Sequence, residues 1–384
     1  MDAVTEHRIV QVGVNGYGRL HLEAIAREQA EGRALLVAAV DPQPNGFAAA
    51  PVYDTLQEAL AQHVADVVSI ATPIGTHAPL ATLALEAGAD VLLEKPPTAS
   101  LAEFRTLLSV VERTGRAVQV GFQALGSDGV GLLRSALADG LVGANPRVVA
   151  WGEWSRSVGY YARSRWAGHR VLDGARVADG VVTNPLAHAV SAALAVAGCT
   201  REDHVRSVST ELYRVHDIAT DDTAWVDVDT TLGVPVQAAL TLCAPTGGAE
   251  PSPSVALIGD RGSVTFRYTD DEVEYRVEGE PARTERVGRR ALLANLLDHR
   301  DTGATLMVPL ADTGAFMCVL EASQTSPEPI AVGPAHVHWS GDGADRRPEL
   351  EGVTTAVAAA VRRGVPFSAT GVPWATATPT AWRP

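Results

Sequence analysis

The stretch VQVGVNGYGRLHLEAI (10–25) runs from an apolar strand through a glycine-rich turn into an amphipathic helix. That order decides the fold of the first third of the chain. Gly13, Asn15 and Gly18 take the three positions of a G-x-G-x-x-G turn, with Asn in the middle place and Gly16 and Tyr17 completing the loop. Gly13 permits a tight turn, Asn15 tolerates unusual φ, and Gly18 lets helix and strand approach closely. The helix then offers backbone N–H groups and the positive end of its dipole to a pyrophosphate. Asp41 ends the next strand roughly 20 residues past Gly18, the offset at which a carboxylate meets the adenine ribose. Pro42 and Gln43 follow, with no arginine to neutralise a 2′-phosphate. The pattern therefore predicts NAD rather than NADP.

Working outward, RIVQVGV (8–14), ALLVAAVD (34–41), DVVSIAT (66–72), DVLLE (90–94) and RAVQVGF (116–122) read as strands. Helical patterns at 17–31, 55–62, 77–88 and 100–114 separate them. Near-continuous apolar strands alternating with helices predict a doubly wound parallel sheet, a Rossmann domain over residues 1–124. After about residue 125 the grammar changes. RVVAWGEW (147–154), VRSVSTELYRV (205–215), DTAWVDVDTTL (222–232), VQAALTLCA (236–244) and GSVTFRYTDDEVEYRVE (262–278) alternate apolar and polar residues. With helices expected at 184–197, 288–299, 310–323 and 351–363, residues 125–384 read as an α+β domain. Its sheet is large, mostly antiparallel and open, with one face packed on helices. GGAEPSPS (247–254) reads as a loop and ATATPTAWRP (375–384) as an irregular tail.

At 384 residues the chain exceeds the size of one core, in keeping with two domains. It is 46% hydrophobic and 20% charged, with a net charge of −14, an ordinary globular composition with no basic footprint for nucleic acid. Cys199, Cys243 and Cys318 are isolated and read as core residues of a reducing compartment. The N-terminus lacks the pattern of a signal peptide, and no apolar run reaches the ~18–20 residues of a membrane span, so a cytoplasmic protein is expected. The H-x-H at His336 and His338 has no ligand partner at metal spacing, and no metal is expected.

VLLEKPPTAS (91–100) places Glu94 and Lys95 behind a buried strand and before two prolines. Strand ends at the carboxyl edge of such a sheet face the ligand crevice. Ala71, Thr72 and Pro73 end the neighbouring strand on the same edge, and His77 opens the next helix. Lys95–Pro96 is a candidate cis bond. Taken alone, Lys95 could equally be a lysine paired with Glu94 or solvated.

GVNGYGRLH, IATPIGTHAPLATLALEAGADVLLEKP and VQVGF, in this order and spacing, resemble the N-terminal domain of the Gfo/Idh/MocA oxidoreductases, closely over 8–123 and more loosely beyond. The resemblance implies that Lys95 binds the reacting hydroxyl and helps move its proton. It also implies that Gly13, Asn15, Gly16, Tyr17, Gly18, Asp41, Ala71, Thr72, Pro73, His77, Glu94, Lys95 and Gln123 hold the cofactor. The second catalytic stretch of the family resembles G-G-x-L-x-D-x-G-x-H, and DGVVTNPLAH (179–188) matches it. His188 falls on the histidine, and Asn184 stands where the family has aspartate. An asparagine orients a hydroxyl but carries no proton, which leaves acid–base work to Lys95 and His188. Read without the resemblance, Asn184 is an N-cap before Pro185 and His188 a core histidine.

GYYARSRWAGHR (159–170) concentrates aromatic faces and guanidinium donors suited to carbohydrate rings, or to an exposed loop or subunit contact. Tyr161, Arg165 and Trp166, with Phe122, Lys95, Asn184 and His188, are the expected substrate contacts. The expected activity is hydride transfer between NAD and a secondary hydroxyl or ketone of a sugar, glycoside or cyclitol. Two other readings are an NAD-assisted glycoside hydrolase or lyase working by transient oxidation, and a non-catalytic nucleotide sensor on the same scaffold. The family resemblance further implies a homodimer or homotetramer built on the open sheet.

Overall fold

The computed structural model describes residues 6–247 and 250–384. The reading of the N-terminus and that of the 247–254 loop therefore fall partly outside the described residues. The chain divides into two compact units. One comprises residues up to Gly126 together with Arg290–Thr313, and the other Ser127–Arg289 with Gly314–Pro384. The division differs from a single cut after residue 124 because the segment 290–313 returns to the first unit.

The first unit is built on β1 (His7–Val12), β2 (Ala34–Val40), β3 (Val52–Tyr53), β4 (Val67–Ile70), β5 (Asp90–Leu93) and β6 (Val118–Val120). The order is β3-β2-β1-β4-β5-β6, with every pairing parallel. Its two halves diverge between β1 and β4, the switch point at which such sheets bind ligands. Ile9, Val10, Val67, Ile70, Val91, Leu93 and Val120 have no exposed surface, which accounts for the unbroken apolar runs in the sequence. The helices are α1 (Gly18–Ala30), α2 (Leu56–Gln62), α3 (His77–Glu86) and α4 (Leu101–Thr114). Thr55 and Glu58 form a capping box on α2, and Ser100 caps α4, which stops at Gly115 with φ 64°. β3, only two residues long, carries too little pattern to be read from sequence.

What holds the returning segment is a buried glutamine. Gln119, fully buried in β6, donates to Asn295 Oδ1 at 2.6 Å and accepts from the Val308 N–H at 2.9 Å. The Val120 N–H then donates to the Val308 carbonyl at 2.9 Å. These bonds satisfy a sheet edge and a buried side chain together.

In the second unit the main sheet runs Arg283–Arg286, Glu272–Val277, Gly262–Arg267, Ser254–Gly259, Arg147–Glu153, Val236–Thr241, Thr223–Thr230, Val205–Arg214 and Ile330–Ala331. Pairings are antiparallel except Val236–Thr241 with Arg147–Glu153 and Val205–Arg214 with Ile330–Ala331. The segment read as 262–278 is two strands joined by a turn. The strand Ser254–Gly259 and the helix Asp128–Ala138 were not anticipated.

Strand alternation separates the sheet faces. Gly152 lies under Leu186, just before the buried apolar helix Ala187–Val196. Its neighbour Trp151 packs with Tyr213, Trp225 and Ala239 against Val353, Val357, Phe367 and Trp374. The sheet is open, not closed into a barrel, and the helix Val353–Arg363 and the segment after it cover its centre on this second face. Arg147 fixes that helix by donating to the carbonyls of Val361 and Arg362 at 2.7 and 2.8 Å. The tail expected to be irregular adds a strand, Thr380–Trp382, antiparallel to Val205–Arg214.

Candidate active site

Gly13 follows β1 with φ +83°, and a Cβ there would lie 2.4 Å from the Ala71 carbonyl oxygen. A Cβ on Gly18 would lie 2.1 Å from the Gly13 carbonyl oxygen. Both glycines are required by close backbone approach. Asn15, in the middle position, folds back: its Nδ2 donates to Asp41 Oδ2 at 3.1 Å and to the Gln43 carbonyl at 2.9 Å. The Asp41 carboxylate also accepts from the Val14 and Gln43 N–H groups at 3.0 and 2.9 Å. Asn45, which sequence reading passed over, donates to Asn15 Oδ1 at 3.1 Å.

These residues open on a cleft of 550 Å³. Gly13, Asn15, Asp41, Ala71, Thr72 and Pro73 line it, along with Leu56 and Leu80. Its walls at the strand ends and its fixed carboxylate suit an adenosine, and the Gly13–Gly18 cradle suits a pyrophosphate. Gly16 and Tyr17 form the turn beside it, with Tyr17 55% exposed. His77 is buried and does not line the cleft. Its ring nitrogens face the Pro96 and Thr72 carbonyls at 2.9 and 2.8 Å, and burial lowers its pKa. It ties the end of β4 to the segment after β5.

Lys95 follows β5, the Lys95–Pro96 bond is cis, and the side chain is 7% exposed. Its Nζ stands 5.9 Å from the centre of the Tyr17 ring. Glu94 Oε2 is engaged by His21 Nε2 at 3.2 Å and Gln123 Nε2 at 3.5 Å, and His21 Nδ1 reaches Ser69 Oγ at 2.8 Å. Phe122 is fully buried and belongs to the core, so it is not the crevice lining expected for it.

In the second unit Asn184 lies in a turn and is not the N-cap. The helix starts at Ala187 after Leu186, and the Asn184 N–H bonds to the Gly180 carbonyl at 3.0 Å. Asn184 and His188 are therefore not two residues of one regular helix. His188, second in the helix, is half-buried, with its ring 6.4 Å from that of Tyr268.

Two carboxylates escaped the sequence reading although Asp179 stands inside the quoted motif. Asp179, 2% exposed, accepts from Asn184 Nδ2 at 2.9 Å and from the Gly168 N–H at 2.7 Å. Asp221, fully buried, accepts from the Val182 N–H at 3.3 Å. Burial pushes the Asp221 carboxyl up to about 6, against a smaller opposing pull from Arg170. Because the folded pKa is raised, the stabilisation is complete below the unfolded value near 4 and is lost as pH rises through about 6. Asp221→Asn is therefore expected to stabilise the chain by about 3 kcal/mol at pH 8 and hardly at all at pH 4. Urea melts at both pH values check this.

Of the residues expected to touch substrate, Tyr161 borders a cleft of 580 Å³ with Gly168, Arg214 and Asp217, its ring 4.7 Å from that of His216. The Arg163 guanidinium lies 3.6 Å from the Tyr160 ring and 4.9 Å from the Trp166 ring. Arg165 is exposed and pairs loosely with Asp173 at 3.2 Å. Trp166, Arg165, Asn184 and His188 do not line the Tyr161 cleft.

Among the described residues, His216, Asp222 and Cys243 are buried with donor atoms within 4.8 Å of one another. Asp222 Oδ2 meets His216 Nδ1 at 2.9 Å and accepts the Val215 and His216 N–H groups at 2.9 and 2.8 Å. These bonds staple the turn that leads into Thr223–Thr230. His336, in the H-x-H, faces Glu351 at 3.6 Å.

The model of the family described as "Oxidoreductase family, NAD-binding Rossmann fold" matches residues 7–122. Over residues 7–122 the chain matches the Gfo/Idh/MocA family model. The chain is 37% identical over 95 residues to the oxidoreductase YfiI of Bacillus subtilis (strain 168), covering 24% of each chain. A match to the inositol 2-dehydrogenase of Rubrobacter xylanophilus is 31% identical over 145 residues, 36% of this chain and 42% of that one. The chain thus spans less than half the length of the curated relatives it matches. In three dimensions the likeness extends further. The WlbA dehydrogenase of Bordetella pertussis, solved with NADH and UDP-GlcNAcA, aligns with TM-score 0.68 at 21% identity. That alignment covers 83% of this chain and 95% of WlbA, which shows a shared fold.

Proposed function

We propose that this chain is an NAD-dependent dehydrogenase that oxidises a secondary hydroxyl of a sugar, glycoside or cyclitol, or reduces the corresponding ketone. The observation that carries this is the cleft between β1 and β4, with Asp41 fixed at its rim, in the unit that also presents Lys95 at the end of β5. Bound NAD would supply the hydride acceptor. Gly13, Asn15, Asp41 and the strand ends at Ala71–Pro73 would hold it. Lys95 is assigned to bind the hydroxyl oxygen and take its proton, and His188 is the second group proposed for proton handling. With NAD bound, the hydride acceptor would take the C–H electron pair while Lys95 would take the O–H proton, leaving a ketone. The relatives named for inositol and for a nucleotide sugar support the substrate class.

The test is a panel of sugars, methyl glycosides, nucleotide sugars and inositols with NAD and NADP, followed by absorbance of the reduced cofactor. NAD should exceed NADP by about tenfold or more in kcat/KM, because Asp41 opposes a 2′-phosphate. Binding of NAD with no turnover across the panel would refute the reading.

A further inference from the structure

His216, buried in the second unit, turns both ring nitrogens toward acceptors. Nε2 lies 3.1 Å from the Arg156 carbonyl oxygen, and Nδ1 lies 2.9 Å from Asp222 Oδ2. A carbonyl only accepts, so the proton of the neutral ring sits on Nε2 and the Nδ1 lone pair is aimed at the carboxylate. Oδ2 of that carboxylate already accepts the Val215 and His216 N–H groups at 2.9 and 2.8 Å, while Oδ1 is buried with no hydrogen-bond partner. Cys243 Sγ stands 4.0 Å from the same Nδ1. A lone pair, an orphaned carboxylate oxygen and a sulfur thus meet in the interior, where an unanswered acceptor is costly. A second proton on His216 would answer Oδ2 and leave Oδ1 as it is.

We infer that His216, Asp222 and Cys243 are the ligands of a structural zinc ion. Imidazole nitrogen, carboxylate oxygen and thiolate are the groups zinc takes, at about 2.0–2.3 Å. Tetrahedral bonds of that length set ligand atoms about 3.3–3.7 Å apart. The separations here, 2.9 Å from Nδ1 to Oδ2 and 4.0 Å from Nδ1 to Sγ, lie on either side of that range. Oδ1 is the oxygen offered to the ion, since Oδ2 is occupied by backbone N–H groups. The Nε2–H bond to the Arg156 carbonyl is the outer contact that fixes the tautomer of a ligating histidine. Beside the cluster, the Tyr161 ring packs 4.7 Å from that of His216, and its buried hydroxyl has no hydrogen-bond partner, which makes it the candidate fourth ligand.

The ion would join the turn before Thr223–Thr230 to the end of Val236–Thr241, beneath the cleft that Tyr161 borders. The Cys243 N–H, donating to Thr241 Oγ1 at 3.0 Å, holds that end in place. Chain order hides such a site. Cys243 is 27 residues from His216, far outside C-x-x-C or H-x-H spacing, and only the sheet brings the two together.

The test is independent of the activity proposed above. The full chain is produced in medium supplemented with zinc, purified without chelator, dialysed and analysed for metal by mass spectrometry. Wild type should carry about one zinc per chain, and C243S, close in volume but without the thiolate, at least about tenfold less. Wild type from cells grown with cobalt should show a sulfur-to-cobalt charge-transfer band that C243S lacks. The zinc-loaded protein should melt several degrees above the same protein stripped by chelator, because the ion binds only the folded chain. If C243S does not fold, D222N replaces it, since its amide oxygen still serves the Val215 and His216 N–H groups. Wild type with only trace zinc and no cobalt band would overturn the inference and leave a buried imidazolium–carboxylate pair. Zinc retained in full by the variant would equally overturn it, by placing the ion elsewhere, as at His336 and His338.

Discussion

Lys95→Met is expected to lower kcat on the order of 10³-fold, within the range for loss of a group that transfers a proton in the transition state. NAD affinity should stay close to wild type, because the cleft that suits adenosine is lined by other residues and Lys95 is not among them. Methionine preserves most of the apolar stem that fills this buried position while removing the amine. The split is the informative part. A structural lysine would lower stability and NAD affinity together, whereas a proton-handling one leaves both and removes the rate. Isothermal titration with NAD and single-turnover kinetics on the best substrate separate the two outcomes, and a variant retaining full kcat would remove Lys95 from the mechanism.

The second large effect is expected at Gly18. An alanine Cβ would stand 2.1 Å from the Gly13 carbonyl oxygen, a backbone atom that cannot rotate aside. The first turn of α1 has to shift away from the end of β1, and both form the cradle. The overpacking is expected to lower stability by about 3 kcal/mol, and displacing the cradle from the pyrophosphate to weaken NAD binding by about tenfold or more. Gly16→Ala provides the control. Its Cβ would meet nothing within 4 Å, and only its φ of +53° opposes the change, so its loss should be much smaller. Titration of both variants with NAD tests the ranking, and equal affinities would show that close approach at Gly18 is not what shapes the cradle.

The parallel sheet was legible because its strands are buried on both faces and its glycines are forced by contact. Gly13, Gly18 and Asp41 are where the turn chemistry places them, since a tight turn leaves few residue choices. Phe122 and His77 were misplaced for one reason. Sequence order put them at strand and helix ends near the crevice, and only packing shows Phe122 in the core and His77 bridging the Thr72 and Pro96 carbonyls. Asn184 looked like a cap because Asn before Pro has that grammar. The structure spends its amide on Asp179 instead. Asp179 and Asp221 could not be singled out from charge alone, because a buried carboxylate and a solvated one are written with the same letter. The strand Thr380–Trp382 was hidden by the surrounding proline and threonine, which resemble a loop until an edge strand is there to pair with.

The return of Arg290–Thr313 to the first unit has a consequence for the order in which the molecule is made. A chain leaving the ribosome presents β6 and its Gln119 long before Asn295 and Val308 exist. At about 5–20 residues per second, the interval is on the order of ten to forty seconds. Through that time the β6 edge and a buried-type glutamine lack the partners that later cover them, while the whole of Ser127–Arg289 is being synthesised. The N-terminal unit therefore begins folding first and is completed only after most of the second unit has emerged, so a ribosome stalled before residue 290 holds an unfinished dinucleotide domain.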